Sequence, residues 1–260
     1  MTAEYGKYTM KSIFIYILER KEELFMYSDI FSKIYDAFGW NYYPESFAQL
    51  LLRWIDEQGL NINHMLDLGC GTGILCNMMT AHGIEAMGMD LSHGMIAMAK
   101  QNYPHIVFQQ GNMIDWKPAM NFDLVTSTCD AINHILDPED VKKVMENVYS
   151  YLNPGGVFLF DFLRPGEEAD CEPVDMGELD GKRLQFQIYH PKDQFVTLQA
   201  DLFEGDKLIH TEKIQEHLYE PEWILQILKG IGYQDVRCTD QLLKSESVHA
   251  ATWFIIAKKA

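Results

Sequence analysis

Residues 65–75 read MLDLGCGTGIL, and this stretch decides the fold. An apolar run leads into Gly69, Gly71 and Gly73, and a helical pattern follows, so the chain must turn tightly between a strand and a helix. Glycine lets main-chain N–H groups approach a ligand in such a turn because no Cβ stands in the way. The sequence therefore predicts a nucleotide-binding turn.

The spacing of this turn differs from that of the dinucleotide fingerprint, which would place its third glycine at position 74. This chain has Ile74 there, and the third glycine comes one residue earlier. An acid, Asp67, also stands at the entrance of the turn. It would oppose a pyrophosphate but would suit a ligand with a cationic amine and no phosphate. A nucleotide-linked oxidoreductase is therefore disfavoured.

Downstream of the loop, the chain alternates between short apolar runs and helical periods. This alternating pattern is typical of a parallel sheet with helices on both faces. The apolar runs are 65–68, 86–89, 106–109, 122–127 and 157–162. The helices fall near 73–82, 92–102 and 138–152, and another begins at Pro44. A helix at 221–230 and strands near 233–239 and 251–258 complete a predicted Rossmann-like α/β fold with a seven-stranded mixed sheet.

Between these parts lies a segment with a different pattern. Three longer strands are predicted at 183–190, 195–203 and 207–219, joined by turns that contain Pro191 and Gly205. They indicate a three-stranded antiparallel cap inserted into the core.

The domain boundaries follow from these patterns. We expect an N-terminal helical and aromatic lid segment at 1–43, a core at 44–162 and 220–260, and the inserted cap at 163–219. A helix is predicted at 9–26. The aromatic stretch at 27–43 fits equally a lid over a site and a hydrophobic clasp packed on the sheet.

The composition argues against several kinds of partner. The net charge is −17 and the sequence pI is about 4.8, which disfavours nucleic acid and anionic membrane surfaces. No long apolar stretch suggests a membrane span, and the apolar residues 13–18 are too few for a secretory core. The five cysteines lack zinc-site spacing, so we expect no metal and free thiols in the cytoplasm.

Together these motifs resemble the class I S-adenosylmethionine-dependent methyltransferases, over most of residues 44–258. The resemblance rests on the loop, which reads DLGCGTG from Asp67 to Gly73, and on Met89-Asp90-Leu91-Ser92 at the end of the next apolar run. It implies that S-adenosylmethionine is the cofactor. It further implies that Asp67 and the loop, including Cys70, face the methionine moiety, that Asp90 binds the ribose, and that Leu91 packs on adenine.

The third family motif, Gly111-Asn112-Met113, departs from the usual Gly-Asp pattern. Asn112 can still accept a hydrogen bond from the adenine amino group through its amide oxygen, and Met113 N–H can face a ring nitrogen. We expect adenine binding to survive this change. Cys129, after the fourth apolar run, is also assigned to the cofactor site.

The substrate should meet the cofactor at the carboxyl end of that fourth run, 122–127. The segment resembles a branch of small methyltransferases with an Asp-Ser-Ile-Asn-Tyr stretch, here Asp130 to His134, followed by an antiparallel cap. His134 is either a general base or a histidine stacked beside the cofactor. Asn133 is a candidate substrate residue.

Aromatic and histidine side chains from the two flanking segments complete the predicted enclosure. By resemblance, Tyr35 folds over the cofactor and is a second catalytic candidate. The substrate candidates are Tyr27, Trp40, His217 and Tyr219. Alternation in the third cap strand puts His217 and Tyr219 on one face and Glu212 and Glu216 on the other, and the sequence does not decide which face meets the site.

The predicted function is methyl transfer from S-adenosylmethionine to N or O of a small molecule by in-line displacement. An RNA or protein methyltransferase of the same fold and a non-catalytic cofactor-binding module remain alternatives. We expect a monomer or a homodimer.

Overall fold

The computed structural model describes residues 27–163, 165, 172–192, 194–239 and 252–260. The predicted helix at 9–26 lies outside these residues. No helix within the described ranges is long and apolar enough to cross a membrane.

The described chain forms eleven strands. In chain order they are β1 His64–Leu68, β2 Glu85–Asp90, β3 Val107–Gln110, β4 Phe122–Ser127, β5 Leu152–Leu163, β6 Val174–Leu179, β7 Lys182–Lys192, β8 Phe195–Glu204, β9 Lys207–His217, β10 Gln234–Thr239 and β11 Thr252–Lys258. Seven of them form one sheet in the order β10-β11-β5-β4-β1-β2-β3. β1 to β5 run parallel, whereas β11 is antiparallel to both of its neighbours. The predicted mixed seven-stranded sheet is confirmed.

Helices cover both faces of this sheet, as the alternating pattern predicted. They are α1 Asp29–Ser32, α2 Tyr42–Glu57, α3 Ile74–Ala81, α4 His93–Asn102, α5 Pro138–Tyr151 and α6 Pro221–Ile231, with a 3₁₀ turn at Asp36–Phe38. Successive strand residues point to opposite faces. Met65 therefore packs in the same cluster as Trp54 of α2, and Leu66 packs with Val148 of α5.

The second sheet corrects the prediction of three strands, because it has four, in the order β6-β7-β8-β9. The missed strand is β6, all of whose side chains are exposed, so it lacks the apolar alternation by which a half-buried strand is found. Its hairpin turn, Asp180-Gly181, has φ values of 51° and 75°. An Asp-Gly pair with both residues in the left-handed region is a strong hairpin signal that could have revealed it.

Candidate functional site

The three glycines of the loop after β1 all have positive φ, at 75° for Gly69, 51° for Gly71 and 86° for Gly73. A Cβ on Gly69 would lie 2.8 Å from Ala131 Cβ, and one on Gly73 would lie 2.5 Å from the ring of Phe108. No heavy atom lies within 4 Å of the Cβ position of Gly71. Gly69 and Gly73 are thus required for packing, and Gly71 leaves open space for a ligand.

Asp90 holds the loop from the end of β2. Its Oδ2 accepts from Gly71 N–H at 2.9 Å, and its Oδ1 accepts from Ser92 N–H at 2.8 Å. Burial raises the pKa of Asp90, and these N–H bonds oppose the rise. Each carboxylate oxygen keeps acceptor capacity, so the group can still bind ribose hydroxyls while it fixes the loop.

Asp67 lies deeper, with 3% of its surface exposed. Its Oδ1 accepts from the Thr126 hydroxyl at 2.7 Å. Burial raises the pKa of Asp67 to about 7, and the negative charge of Asp90 adds to the rise. A cation bound nearby would favour the ionised form of this carboxyl group.

The residues predicted to surround adenine occupy the outer part of this end of the sheet. Leu91 is exposed, which leaves its side chain open for contact. Asn112 Oδ1 accepts from Ile114 N–H at 3.0 Å, so one of its two acceptor positions is used locally. Met113 is half-buried and approaches the Gly69 position. Their contacts with adenine remain predictions.

The loop after β4 has an unusual backbone. Cys129 and Asp130 both have positive φ, at 61° and 52°, which is uncommon for residues other than glycine. Their N–H groups donate to Oδ2 and Oδ1 of Asp161 at 3.0 and 2.8 Å, and the Tyr43 hydroxyl donates to the same carboxylate. Burial raises the pKa of Asp161 to about 6. The sequence analysis missed Asp161, although an acid inside the apolar run of β5 was a visible signal.

Asn133 has a different role from the predicted contact with substrate. Its side chain is fully buried. Nδ2 donates to the carbonyl oxygens of Leu163 and His217 at 2.8 and 2.7 Å, and Oδ1 accepts from Leu163 N–H at 2.9 Å. These bonds join the β4 loop to β5 and β9. Asn133 therefore positions the cap on the core and does not face the site.

The aromatic segment 27–40 lies between core and cap. The Thr72 hydroxyl donates to Asp36 Oδ1 at 2.9 Å, and the Ser92 hydroxyl donates to Tyr27 O at 2.7 Å. On the cap side, Ser28 donates to Glu212 through its N–H at 3.1 Å and its hydroxyl at 2.6 Å. The segment is therefore bonded both to the glycine loop and to β9.

A cavity of about 180 Å³ lies beneath this segment. Its aromatic wall includes Tyr27, Tyr35 and Trp40, with the Tyr35 and Trp40 rings stacked at 5.3 Å between centroids. Its polar groups are Cys129, Asp130 and Glu212. The structure thus brings three predicted residues, Tyr27, Tyr35 and Trp40, to one cavity.

The cavity decides which face of β9 meets the site. It is lined by Glu212 and Ile214, so the face with the acids points inward. The predicted substrate contacts of His217 and Tyr219 are therefore corrected. His217 Nδ1 lies 2.9 Å from Leu136 O, and the Tyr219 hydroxyl donates to Ile135 O, so both pack on the loop after β4 and support the cap.

His134 lies beside the cavity wall, its ring centroid 5.9 Å from that of Tyr27. Its Nε2 is 3.6 Å from Oε1 of Glu216, a fully buried residue. Burial lowers the pKa of His134 to about 4. The imidazole is therefore neutral at physiological pH, and its low pKa makes it a weak proton acceptor.

His134 also belongs to a group of three possible metal ligands, with Asp130 and Glu216. Their ligand atoms lie within 4.8 Å of one another. The sequence analysis expected no metal because the cysteines lack zinc-site spacing, and it did not bring Glu216 together with Asp130 and His134, which lie far from it in sequence.

The geometry of the strand ends fits S-adenosylmethionine. No heavy atom lies within 4 Å of the Cβ position of Gly71, which leaves space for a ligand. Asp90 offers a carboxylate to the ribose, and the buried Asp67 suits a cationic ligand.

Comparisons with known proteins agree with this fit. A model of the methyltransferase domain matches residues 65–156. The chain is 33% identical over 219 residues to YqeM of Bacillus subtilis, a protein named as a methyltransferase, covering 80% of this chain and 89% of YqeM. It is 35% identical over 121 residues to a protein of Geobacillus that also carries the methyltransferase name, and it spans 48% of that relative's length.

Solved structures show the same fold. A S-adenosylmethionine-dependent methyltransferase from Clostridium acetobutylicum has a TM-score of 0.72 at 21% identity, over 83% of this chain and 92% of that chain. CalS10, an amino pentose methyltransferase from Micromonospora echinaspora, has a TM-score of 0.70 at 17% identity, over 92% and 99%. From its loop geometry, its fold and its similarity to YqeM, the chain belongs to the S-adenosylmethionine-dependent methyltransferases of class I.

Proposed function

We propose that this methyltransferase transfers the methyl group to N or O of a small molecule held in the cavity between the aromatic segment and the cap. One observation carries the proposal: the cavity adjoins the cofactor loop. Cys129 and Asp130 line the cavity, and the next residue, Ala131, lies where a Cβ on Gly69 would clash. A molecule in the cavity would thus be next to the loop that holds the methyl donor.

The bound cofactor supplies a methyl group on a positively charged sulfur, and the chain has to hold an acceptor in line with it. Catalysis of such a displacement depends largely on orientation and on exclusion of water. The aromatic segment covers the cavity and is bonded to both neighbours, through Asp36 to the loop and through Ser28 to the cap. We assign to Tyr35 the role of cover and to neutral His134 that of a polar side chain beside the acceptor, since its low pKa makes it a weak base.

The small volume of the cavity and its cover favour a small acceptor over RNA. The net charge of −17 points the same way, since it repels phosphate backbones. An RNA substrate would require tight, salt-dependent binding in a gel-shift assay, and such a result would overturn the small-molecule proposal.

Formation of S-adenosylhomocysteine across a panel of small N and O acceptors tests the proposal. Turnover should be lost in Asp90→Ala and retained in the matched cap variant Glu178→Gln, whose side chain is exposed on β6. Cofactor binding without turnover on any member of a broad panel would favour a non-catalytic binding module instead.

A further inference from the structure

We propose that the acceptor has a compact apolar body, about the size of one six-membered ring, and a single polar end that carries the reacting hydroxyl or amine. The inference excludes molecules with many hydroxyl groups. It rests on the proposed function, because it names the class of molecule that the same cavity takes. Two features of the cavity carry it: the apolar face of the cap sheet and the position of the polar groups at one end.

The cap sheet turns an apolar face towards the cavity. Leu198 of β8 pairs with Ile188 of β7 and with Ile214 of β9, and Ala200 pairs with Phe186. Cross-strand partners point to the same face of a sheet, so these side chains form two adjacent rows, and all five line the cavity. A hydroxyl group placed against them would lose its hydrogen bonds to water and gain none in return.

Glu212 does not make this face polar towards an acceptor. Among the described cap residues that line the cavity, it is the only polar one. Its Oε1 accepts from Ser28 N–H at 3.1 Å, and its Oε2 accepts from the Ser28 hydroxyl at 2.6 Å. The same Oε2 lies 2.8 Å from Nε2 of His210. Both oxygens are therefore engaged in holding the aromatic segment on the cap.

Polar groups gather instead at the end of the cavity beside the cofactor loop, where Cys129 and Asp130 line it. Burial raises the pKa of Tyr35 well above its usual range, and the Cys129 thiol beside the Tyr35 hydroxyl adds to the rise. Burial raises the pKa of Tyr27 in the same way, and the charge of Asp130 adds to it. Both phenols therefore stay protonated. The polar end of an acceptor belongs here, next to the methyl donor, with its apolar body against the cap.

The size of the cavity limits that body. Its volume is about 180 Å³, and an apolar cavity of about 150 Å³ lined by leucine, isoleucine and phenylalanine is large enough to bind benzene. On one side the aromatic segment and the cap meet, since the ring centroids of Trp40 and Phe186 are 5.9 Å apart. The cavity accordingly suits one ring with a single polar substituent.

NMR titration of the full chain tests the inference with two probes that share a six-membered carbon ring: cyclohexanol, with a single hydroxyl group, and myo-inositol, with a hydroxyl group on every carbon. Each is titrated into the protein saturated with S-adenosylhomocysteine and, separately, into the protein alone. We expect cyclohexanol to bind at least about tenfold more tightly than myo-inositol. Equal or tighter binding of myo-inositol, or no binding of cyclohexanol, would overturn the inference.

Variants connect the selectivity to the cap face. Leu198→Ser places a hydroxyl at the centre of this face and should weaken cyclohexanol binding by about tenfold, while the affinity for S-adenosylhomocysteine stays unchanged. Leu208→Ser, the same change at an exposed position of β9, is the matched control and should alter neither affinity. If Leu198→Ser does not fold, Ile188→Thr takes its place, because it keeps the branched side chain. Unchanged cyclohexanol affinity in the folded variants would contradict the inference.

The two proposals can fail separately. Selective binding of cyclohexanol without formation of S-adenosylhomocysteine on any acceptor would contradict the proposed function alone. Turnover of small acceptors without preferential binding of cyclohexanol would overturn only the inference.

Discussion

Asp161 accepts the main-chain N–H of Cys129 at 3.0 Å, from a strand that lies beside β4 in the sheet. The second oxygen of the same carboxylate accepts from Asp130 N–H at 2.8 Å. One side chain therefore fixes two consecutive residues with positive φ, at the point where the cofactor loop meets the cavity. The strained loop depends on a carboxylate with two equivalent acceptor oxygens.

The variant Asp161→Asn tests this dependence. An amide keeps one acceptor oxygen and directs its NH₂ group at the other N–H, so one buried donor loses its partner. We expect unfolding to become easier by about 1–3 kcal/mol and acceptor binding to weaken. Chemical denaturation measures the first effect. A variant as stable as the wild type would show that the Cys129–Asp130 conformation has another support.

The loop glycines offer a matched pair of substitutions. Gly73→Ala would place a Cβ 2.5 Å from Phe108, and we expect it to destabilise the fold by more than about 2 kcal/mol. Gly71→Ala meets no heavy atom within 4 Å and should cost about 1 kcal/mol for its left-handed backbone.

For cofactor affinity we expect the reverse order: Gly71→Ala should lose more affinity than Gly73→Ala. Gly71→Ala should lose at least about tenfold in affinity for S-adenosylhomocysteine, because its Cβ enters the space left for the ligand. Thermal unfolding and calorimetry on both variants check the pair. Full cofactor affinity in Gly71→Ala would contradict the assignment of Gly71.

Asp67 should make stability depend on pH. Its pKa is raised to about 7 from an unfolded value of about 4, so between these values the folded chain binds the extra proton. Stability contributed by the protonated group is present below about pH 4 and falls as pH rises towards about 7.

Asp67→Asn removes this pH-dependent contribution to stability and keeps a side-chain oxygen that can accept from the Thr126 hydroxyl. Between about pH 5 and about pH 8, the variant should lose roughly 2 kcal/mol less stability than the wild type. Urea denaturation across this range measures the difference. Parallel curves for the two proteins would show that burial does not raise the pKa of Asp67 as inferred.

Local patterns predicted the core of this fold but not its contacts. The glycine loop and Asp90 could be predicted because short stretches of sequence specify strand, turn and helix. The face of β9 could not be chosen, because alternation defines two faces and only tertiary packing decides which one is turned inward. Glu212 and Asp161 were missed for the same reason, since their partners, Ser28 and Cys129, are distant in sequence.

The bond between Ser28 and Glu212 gives the last test, because it ties the aromatic segment to the cap. Ser28→Ala removes the hydroxyl that donates to Glu212 at 2.6 Å and that also accepts from Phe31 N–H at 3.2 Å to cap α1. We expect a local loss of about 1–2 kcal/mol. Hydrogen exchange should therefore accelerate in α1 and leave α5 unchanged. Ser150→Ala, at an exposed hydroxyl of α5, is the matched control. Unchanged protection of α1 would show that the Ser28 hydroxyl does not hold the segment, since the Ser28 N–H still donates to Glu212 in this variant.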